Sequence, residues 1–269
     1  MATESHKLIF SINSGRSGSQ YLAQLLGSTK ETCAFHEAKP DMSGPFLQMV
    51  CQNGLDATFT TRNIKVQAIE QIITRLPPGT RYAETNHMFI KTYFDVVMQH
   101  FGEDSIQIIH LRRHLPSVLK SFINMGYYSE RNRVWPAWMH VPGHCNSIFS
   151  PPPLPREADQ FDLAIGYLLD IEARAEFFRT RYPRCEIHAV RLESLQEPAR
   201  ASAFLEALNL TPTSETLALI GKPANERTQR KAQIGIHTTV KYCEERLLDY
   251  INTCRTHGST LPETINEIL

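Results

Sequence analysis

The stretch over residues 8–22 constrains the fold more than any other part of the sequence. An apolar run with β-branched and aromatic residues predicts a β-strand over residues 7–13, and leucines at helical spacing predict an α-helix over about 19–27. The polar residues between them include two glycines, which permit a tight turn. Backbone N–H groups of such a turn, together with the positive N-terminal end of the helix, suit a phosphate or sulfate group. The sequence therefore predicts an anion-binding loop after the first strand.

Strands and helices alternate along the rest of the chain. Apolar runs predict further strands at 81–84, 105–111 and 185–191, and helical periodicity predicts helices at 64–76, 94–101, 116–124, 160–181 and 239–254. Residues 30–60 lack periodicity and hold several prolines and glycines, so we expect a loop with short helical turns there. The alternation implies a three-layer α/β fold, in which helices flank a central, mainly parallel sheet. Ligands of such sheets bind at the carboxyl ends of the strands.

The length of 269 residues fits one α/β domain over residues 1–269. Residues 126–158 are the least regular part of the chain and are too long for a plain connection. We expect them to form a lid or a ligand-binding insertion, with a surface loop as the alternative.

Composition narrows the range of partners. Lysine and arginine total 28, as do aspartate and glutamate, so the chain has no net positive charge to attract nucleic acid or an acidic membrane. The six cysteines show no regular spacing, which favours free thiols in a reducing compartment over a zinc site or a disulfide framework. The sequence shows neither the apolar core of a signal peptide nor a run long enough to span a membrane. We therefore expect a cytoplasmic protein with no nucleic-acid or membrane partner.

The loop differs from two familiar strand–loop–helix motifs. It is not a Walker A motif, because no Lys-Ser or Lys-Thr pair follows Gly18. It is not a nucleophile elbow, because Ser19 stands where that motif requires glycine. Arg16 contributes a fixed positive charge and a planar fork of donors, as expected of an anion site. An ordinary Gly/Ser turn between a strand and a helix is the alternative.

The loop resembles the 5′-phosphosulfate loop of sulfotransferases, whose usual form is P-[KR]-S-G-T-[TS]-x-[LF]. The Lys/Arg, Ser, Gly and Thr places of that pattern are taken here by Arg16, Ser17, Gly18 and Ser19. The chain departs from the family where residues 13–15, Asn-Ser-Gly, replace the commoner Gly-x-Pro.

Residues 111–121 carry a second resemblance to the same family. Arg112 and Arg113 follow a predicted strand, and Ser121 lies two turns into the next helix. This order is similar to the 3′-phosphate motif R-[DN]-P-x-x-x-x-x-S, with Ser121 at the serine place when the count starts from Arg113. His-Leu replaces Asp/Asn-Pro here, which leaves open whether Arg112 or Arg113 contacts the phosphate.

Two later segments add to the resemblance. Residues 190–195 resemble the family pattern [VL]-R-[YF]-E-[DE]-L, and we expect them to be mainly structural. The basic residues Arg230 and Lys231 are similar to the R-K-G segment that completes the 3′-phosphate site of cytosolic sulfotransferases. A solvated basic loop is the alternative for that segment.

The resemblance implies a P-loop NTPase-like fold and a sulfotransferase that uses 3′-phosphoadenosine 5′-phosphosulfate (PAPS) without a metal ion. It implies that Arg16 stabilises the transition state and that the 5′-phosphate is held by Gly15, Arg16, Ser17, Gly18, Ser19 and Gln20. It further implies that the 3′-phosphate is held by Arg113, Ser121, Arg230 and Lys231. A small-molecule or carbohydrate acceptor is expected.

The catalytic base has three candidates. Glu37 follows a segment that resembles the G-E or H-E-P segment of tyrosylprotein and several bacterial or carbohydrate sulfotransferases. His87 and Glu84 lie where cytosolic members carry K-T-H with a catalytic histidine. Glu37 is the leading candidate, because partial burial would raise its pKa into the range of a useful base.

Two other classes of function stay open at the level of sequence. A P-loop kinase of a small molecule would require the Walker lysine and a following Ser/Thr for Mg²⁺, which this loop lacks. A non-catalytic nucleotide-binding protein would keep the fold without transferring a group.

Overall fold

A computed structural model describes residues 8–143, 146–222 and 234–265 of the chain. Its centre is a five-stranded, all-parallel sheet in the order β2-β3-β1-β4-β5. The strands are β1 (Leu8–Ile12), β2 (Thr32–His36), β3 (Arg81–Thr85), β4 (Ile106–Arg112) and β5 (Glu186–Arg191). The predicted parallel α/β fold is confirmed.

Helices connect the strands. They are α1 (Ser19–Gly27), α2 (Pro45–Ile73), α3 (Phe94–Phe101), α4 (Leu115–Asn124), α5 (Gln160–Arg181), α6 (Pro198–Ala207), α7 (Ser214–Leu219) and α8 (Val240–Thr256). A π-helical turn, Phe89–Tyr93, precedes α3. In the part of the chain that the structure describes, no helix combines the length and the apolar character needed to cross a membrane.

The prediction for residues 30–60 was wrong, because this stretch contains β2 and the first half of α2. The edge strand β2 is short and only half-buried, so its residues do not alternate clearly between apolar and polar. Helix α2 is broken at Gly54, which has φ 83° and ψ 170°, and the break interrupts the helical periodicity. Neither element therefore gives a regular signal in the sequence.

The chain divides into two compact units. The first comprises Met1–Met42, Thr58–Arg112 and Arg179–Glu226, and the second comprises Ser43–Ala57, Arg113–Phe178 and Arg227–Leu269. The whole sheet belongs to the first unit, and residues 126–158 belong to the second.

Strand β1 is buried along its whole length between β3 and β4. A strand in this position is covered on both faces, which explains its continuous apolar run. Helix α1 packs on the sheet through a buried cluster that includes Leu22, Ile9 and Ile109. The position of the loop between β1 and α1 is therefore fixed from both sides.

In the second unit, a buried carboxylate anchors the irregular segment. Asp170 on α5 accepts hydrogen bonds from the backbone N–H groups of Ile148 and Phe149 at 2.7 and 2.9 Å. His140 Nε2 and Arg174 Nε donate to its other oxygen at 2.8 and 2.6 Å. Burial alone would raise the pKa of Asp170, but the hydrogen bond from His140 and the charge of Arg174 outweigh it and hold that pKa well below its usual range. These contacts exclude a loose surface loop over this part of residues 126–158.

Among the described cysteines, the prediction of free thiols was wrong for Cys51. Cys51 is disulfide-bonded, whereas Cys33, Cys185, Cys243 and Cys254 are free thiols. Pairing depends on which residues the fold brings within bonding distance, and irregular spacing in the sequence does not encode that. The cysteines therefore give no support to a reducing compartment.

We predict that Asp170→Asn lowers the free energy of unfolding by about 3–5 kcal/mol, because it leaves Arg174 without its buried partner. Urea denaturation at neutral pH measures the loss, with the exposed Asp249→Asn on α8 as the matched control. Because folding lowers the pKa of Asp170, its contribution is present above the unfolded-state value of 3.8 and declines as the pH falls through the folded-state pKa. Equal stability of the two variants at neutral pH would contradict the anchoring role.

Candidate active site

The loop after β1 is organised from within by the side chain of Asn13, which is almost completely buried. Its Oδ1 accepts hydrogen bonds from the N–H of Gly15 at 3.1 Å and from the Ser17 hydroxyl at 3.4 Å. Its Nδ2 donates to Ser11 Oγ at 2.8 Å, which ties the loop back to β1. From the sequence, Asn13 is only a departure from the family pattern, and its structural role was missed.

Three of the four residues from 15 to 18 have a left-handed backbone. Their φ angles are 76° at Gly15, 55° at Arg16 and 96° at Gly18. Left-handed residues turn the chain sharply, and turns that contain them can present backbone N–H groups to an anion. Arg16 is half-buried on this turn.

Gly18 is also required by a close neighbour, because a Cβ atom there would lie 2.5 Å from Cδ1 of Leu192. A Cβ atom at Gly15 would lie 3.4 Å from Nδ1 of His87, which is ordinary van der Waals contact and shows that the loop packs against this histidine. Leu192 belongs to the segment 190–195 that the sequence analysis expected to be structural. The same segment accepts a hydrogen bond at Leu195 O from the Tyr21 hydroxyl of α1 at 2.9 Å.

Helix α1 starts at Ser19 directly after the loop, and its N-cap residue is Gly18, which has no side chain to cap the first turn. That turn contains no acidic residue, so the positive end of the helix dipole meets no carboxylate from the helix itself. Ser19 is buried, and its carbonyl oxygen accepts a hydrogen bond from the Thr85 hydroxyl at 2.8 Å. This bond links the start of α1 to the carboxyl end of β3.

The fold brings two of the three candidate bases together at the ends of β2 and β3. The backbone N–H of Glu37 donates to Thr85 O at 3.2 Å, and Glu37 has a left-handed φ of 54°. Its Oε1 atom lies 3.7 Å from His87 Nε2 and 3.9 Å from His36 Nε2. His87 is buried and in turn lies against Gly15 of the loop.

The surroundings shift the pKa values of this pair in opposite directions. Burial raises the pKa of the Glu37 carboxyl, as does Asp41, while His36, Lys91 and Lys39 oppose the rise. Burial holds the pKa of His87 well below its usual range, and the charges of Lys91 and His36 lower it further. His87 is therefore neutral at neutral pH, and Glu37 has the raised pKa expected of a carboxylate base.

Glu84, the third candidate, is fully engaged in the interior. It accepts hydrogen bonds from Lys65 Nζ at 2.8 Å, from the Tyr82 hydroxyl at 2.6 Å and from Asn86 Nδ2 at 3.0 Å. Lys65 and Glu84 are both almost completely buried, so the pair is a structural ion pair. This arrangement favours Glu37 and His87 over Glu84 for chemistry.

The residues expected at the 3′-phosphate lie in several places. Arg112 is the buried last residue of β4, in register with Arg191 of β5. Arg113 and Ser121 are half-buried residues of the second unit. Arg230 and Lys231 lie outside the described residues. Their contact with a 3′-phosphate stays a prediction.

We predict that Gly18→Ala destabilises the first unit by about 1–3 kcal/mol, since the new Cβ atom would overlap Leu192 and alanine disfavours this φ. The control is the exposed Gly258→Ala, where φ is 69° and a Cβ atom meets nothing within 4 Å. The control measures the strain of a positive φ without an overlap, so the excess loss of stability at Gly18 in thermal or urea unfolding measures the overlap. A loss at Gly18 no greater than at Gly258 would show that Leu192 does not support the loop.

Comparisons with known proteins identify solved structures that resemble this one. The structure of the sulfotransferase domain from the curacin biosynthetic pathway is similar over 95% of this chain and 92% of that chain, with a TM-score of 0.51 and 16% sequence identity. The sulfotransferase STF1 from Mycobacterium tuberculosis matches over 90% of this chain and 76% of that chain, with a TM-score of 0.44 and 13% identity. No protein-family model and no curated protein sequence matches the chain. The chain thus shares its fold with the sulfotransferase domain of the curacin pathway.

Proposed function

We propose that this chain is a sulfotransferase that moves the sulfuryl group of PAPS to a hydroxyl or amine of a small-molecule or carbohydrate acceptor. One observation carries the proposal: the loop over residues 15–20, which we propose binds an anion, lies against the Glu37–His87 pair within one compact unit. The shared fold with a sulfotransferase domain supports it.

The loop residues fit a 5′-phosphate and its sulfate. The left-handed φ angles of Gly15 and Gly18 give the loop its tight turn. In the proposed site, the backbone N–H groups from Arg16 to Gln20 hold the 5′-phosphate and the Ser19 hydroxyl adds a hydrogen bond. The N–H of Gly15 is not assigned to the phosphate, because it donates to Asn13 Oδ1. Ser17 contributes only its backbone, since its hydroxyl donates to Asn13.

Arg16 and Glu37 carry the proposed chemistry. When bound, PAPS would supply a sulfuryl group whose bond to the 5′-phosphate oxygen breaks as the acceptor oxygen bonds to sulfur. Glu37 accepts the proton that the acceptor hydroxyl loses. Arg16 stabilises the negative charge on the transferring group and on the departing phosphate oxygen, by analogy with phosphoryl transfer. No step assigned to these residues requires a metal ion.

The 3′-phosphate of PAPS is assigned to the residues that the sequence predicts for it. Arg113 and Ser121 hold the phosphate in this proposal, with Arg112 as the alternative arginine and with Arg230 and Lys231 completing the site. Arginine suits this role because its planar fork binds two phosphate oxygens at once.

A groove in the first unit supports a small acceptor. It has a volume of about 530 Å³ and runs along α1 from Gln20, beside His36 at the end of β2, to Glu215 of α7. Among the described residues, neither lysine nor arginine lines it. This lining suits a neutral, hydroxyl-bearing molecule better than an anionic polymer.

Calorimetric titration with adenosine 3′,5′-bisphosphate, the reaction product, tests the donor site. We expect metal-independent binding that weakens about 10–100-fold in Arg113→Ala, the loss of one hydrogen-bonded charge contact. Arg16→Ala should weaken it as well, while the exposed Arg200→Ala on α6 should not. Binding of ATP with Mg²⁺ and not of the bisphosphate would favour a kinase. Bisphosphate binding without transfer from radiolabelled PAPS in an acceptor screen would favour a non-catalytic protein.

Glu37→Gln tests the base. We expect kcat to fall about 10²–10⁴-fold, since the amide cannot accept the proton, with unchanged affinity for the bisphosphate. The wild-type rate should rise as the pH rises through the raised pKa of Glu37, and the variant should lack this limb. The exposed Glu206→Gln on α6 is the control. A variant with wild-type kcat would exclude Glu37 as the base.

Stability gives a check on Glu37 that needs no substrate. Because folding raises the pKa of Glu37, the wild type loses stability as the pH rises from the unfolded-state value of 4.5 through the folded-state pKa. Glu37→Gln removes this loss. We therefore expect the variant to be at least as stable as the wild type at neutral pH, and the difference to shrink below the unfolded-state value. A destabilised variant at neutral pH would indicate a structural role.

A further inference from the structure

Lys91 is a buried lysine beside the candidate active site that the proposed function leaves unused. It lies in the π-helical turn Phe89–Tyr93, between β3 and α3, and only 2% of its surface is exposed. Wide turns of this kind are rare and are found often at functional sites. Asn86 Oδ1 accepts the backbone N–H of Met88 at 2.9 Å just before this turn, which fixes its start.

The ammonium group of Lys91 contacts His87 one helical turn earlier. Lys91 Nζ lies 3.1 Å from His87 Nδ1. A lysine ammonium has three donors and no acceptor, so Nδ1 of the neutral imidazole must be the acceptor. The proton of the imidazole then resides on Nε2, the atom that lies 3.7 Å from Glu37 Oε1.

We infer that Lys91 is a positioning residue that holds His87 in its Nε2–H tautomer, so that His87 is a hydrogen-bond donor to Glu37 and not the general base. In this form both ring nitrogens are committed, Nδ1 to Lys91 and Nε2 to its own proton. His87 therefore has no free lone pair to take a proton from an acceptor. The catalytic part of this inference rests on the proposed function, and the tautomer does not.

The distance between His87 and Glu37 indicates that His87 orients the carboxylate. At 3.7 Å the Nε2 and Oε1 atoms are slightly too far apart for a hydrogen bond, and a small rotation of either side chain closes the gap. Catalytic hydrogen bonds of this kind commonly shorten when a substrate binds. His87 would then hold one oxygen of Glu37 and orient the carboxylate toward the acceptor.

The charged groups around the pair favour the same assignment. His36, Asp41, Lys91 and Lys39 act on Glu37, and Lys91 and His36 act on His87. Two positive or ionisable neighbours oppose a third positive charge on His87, which keeps the imidazole neutral.

NMR spectroscopy of ¹⁵N-labelled protein tests the tautomer without any substrate. The His87 signals, assigned with His87→Gln, should show protonated Nε2 and unprotonated Nδ1 across the neutral range. In Lys91→Met we expect a mixture of tautomers and a pKa closer to the usual value, while Lys91→Arg should keep the wild-type form. A protonated Nδ1 in the wild type, or a Lys91→Met spectrum identical to it, would overturn the inference. The wild-type measurement decides the tautomer even if Lys91→Met does not fold.

Steady-state kinetics test the proposed effect of Lys91 on the reaction. Lys91→Met should lower kcat about 10-fold or more with little change in the acceptor KM or in bisphosphate affinity, and Lys91→Arg should restore most of the rate. Since Lys91 is proposed to act through Glu37, adding Lys91→Met to Glu37→Gln should cause little further loss. Unchanged kcat in Lys91→Met with an altered tautomer would overturn the catalytic part. Absence of sulfuryl transfer in the wild type would defeat the proposed function, and the NMR result would still stand.

Discussion

The candidate site depends on one buried charge, the carboxylate of Glu84. Lys65 reaches from α2 to neutralise it and also donates to the carbonyl oxygen of Ala38 at 2.7 Å, just after Glu37. Asn86 donates both to Glu84 at 3.0 Å and to the carbonyl oxygen of Asp41 at 3.1 Å, and it directly precedes His87. The segments that carry Glu37 and His87 are thus both held by hydrogen bonds to the buried Lys65–Glu84 ion pair. Breaking this ion pair would lower the free energy of unfolding, because the charge that remained buried would not be solvated by water.

This network gives different surroundings to the three residues that the sequence offers as candidates for the base. Glu37 follows β2, Glu84 is the fourth residue of β3, and His87 comes just after β3. All three lie near the carboxyl ends of neighbouring strands, and each was a candidate for the base. Burial and partners separate them: Glu84 is enclosed among donors, His87 is neutral beside an ammonium group, and Glu37 keeps a quarter of its side chain exposed. Electrostatic environment, more than residue type, decides which group can take a proton.

The predictable parts of the fold are those set by local sequence. The order of β1, the loop and α1 followed from periodicity and two glycines, because a buried central strand and an amphipathic helix both leave clear patterns. The contact between Glu37 and His87 could not be predicted, since it depends on β2 pairing with β3 across a long stretch of chain. The partners of Glu84 and the role of Asn13 were missed for a related reason: a buried polar side chain looks like any other polar residue until its neighbours are known. Gly54 hid the first half of α2 by interrupting its periodicity, whereas the second half was predicted as the helix at 64–76.

The support of the loop by Leu192 and Leu195 has a consequence for the order of folding. The hydroxyl of Tyr21 and the carbonyl oxygen of Leu195 are 174 residues apart in the sequence. During synthesis the loop emerges well before the leucines that complete its wall. Contacts of such long range form slowly, because closing the intervening chain costs entropy before the contact is gained. The proposed anion-binding loop is therefore made well before the contacts that complete it can form.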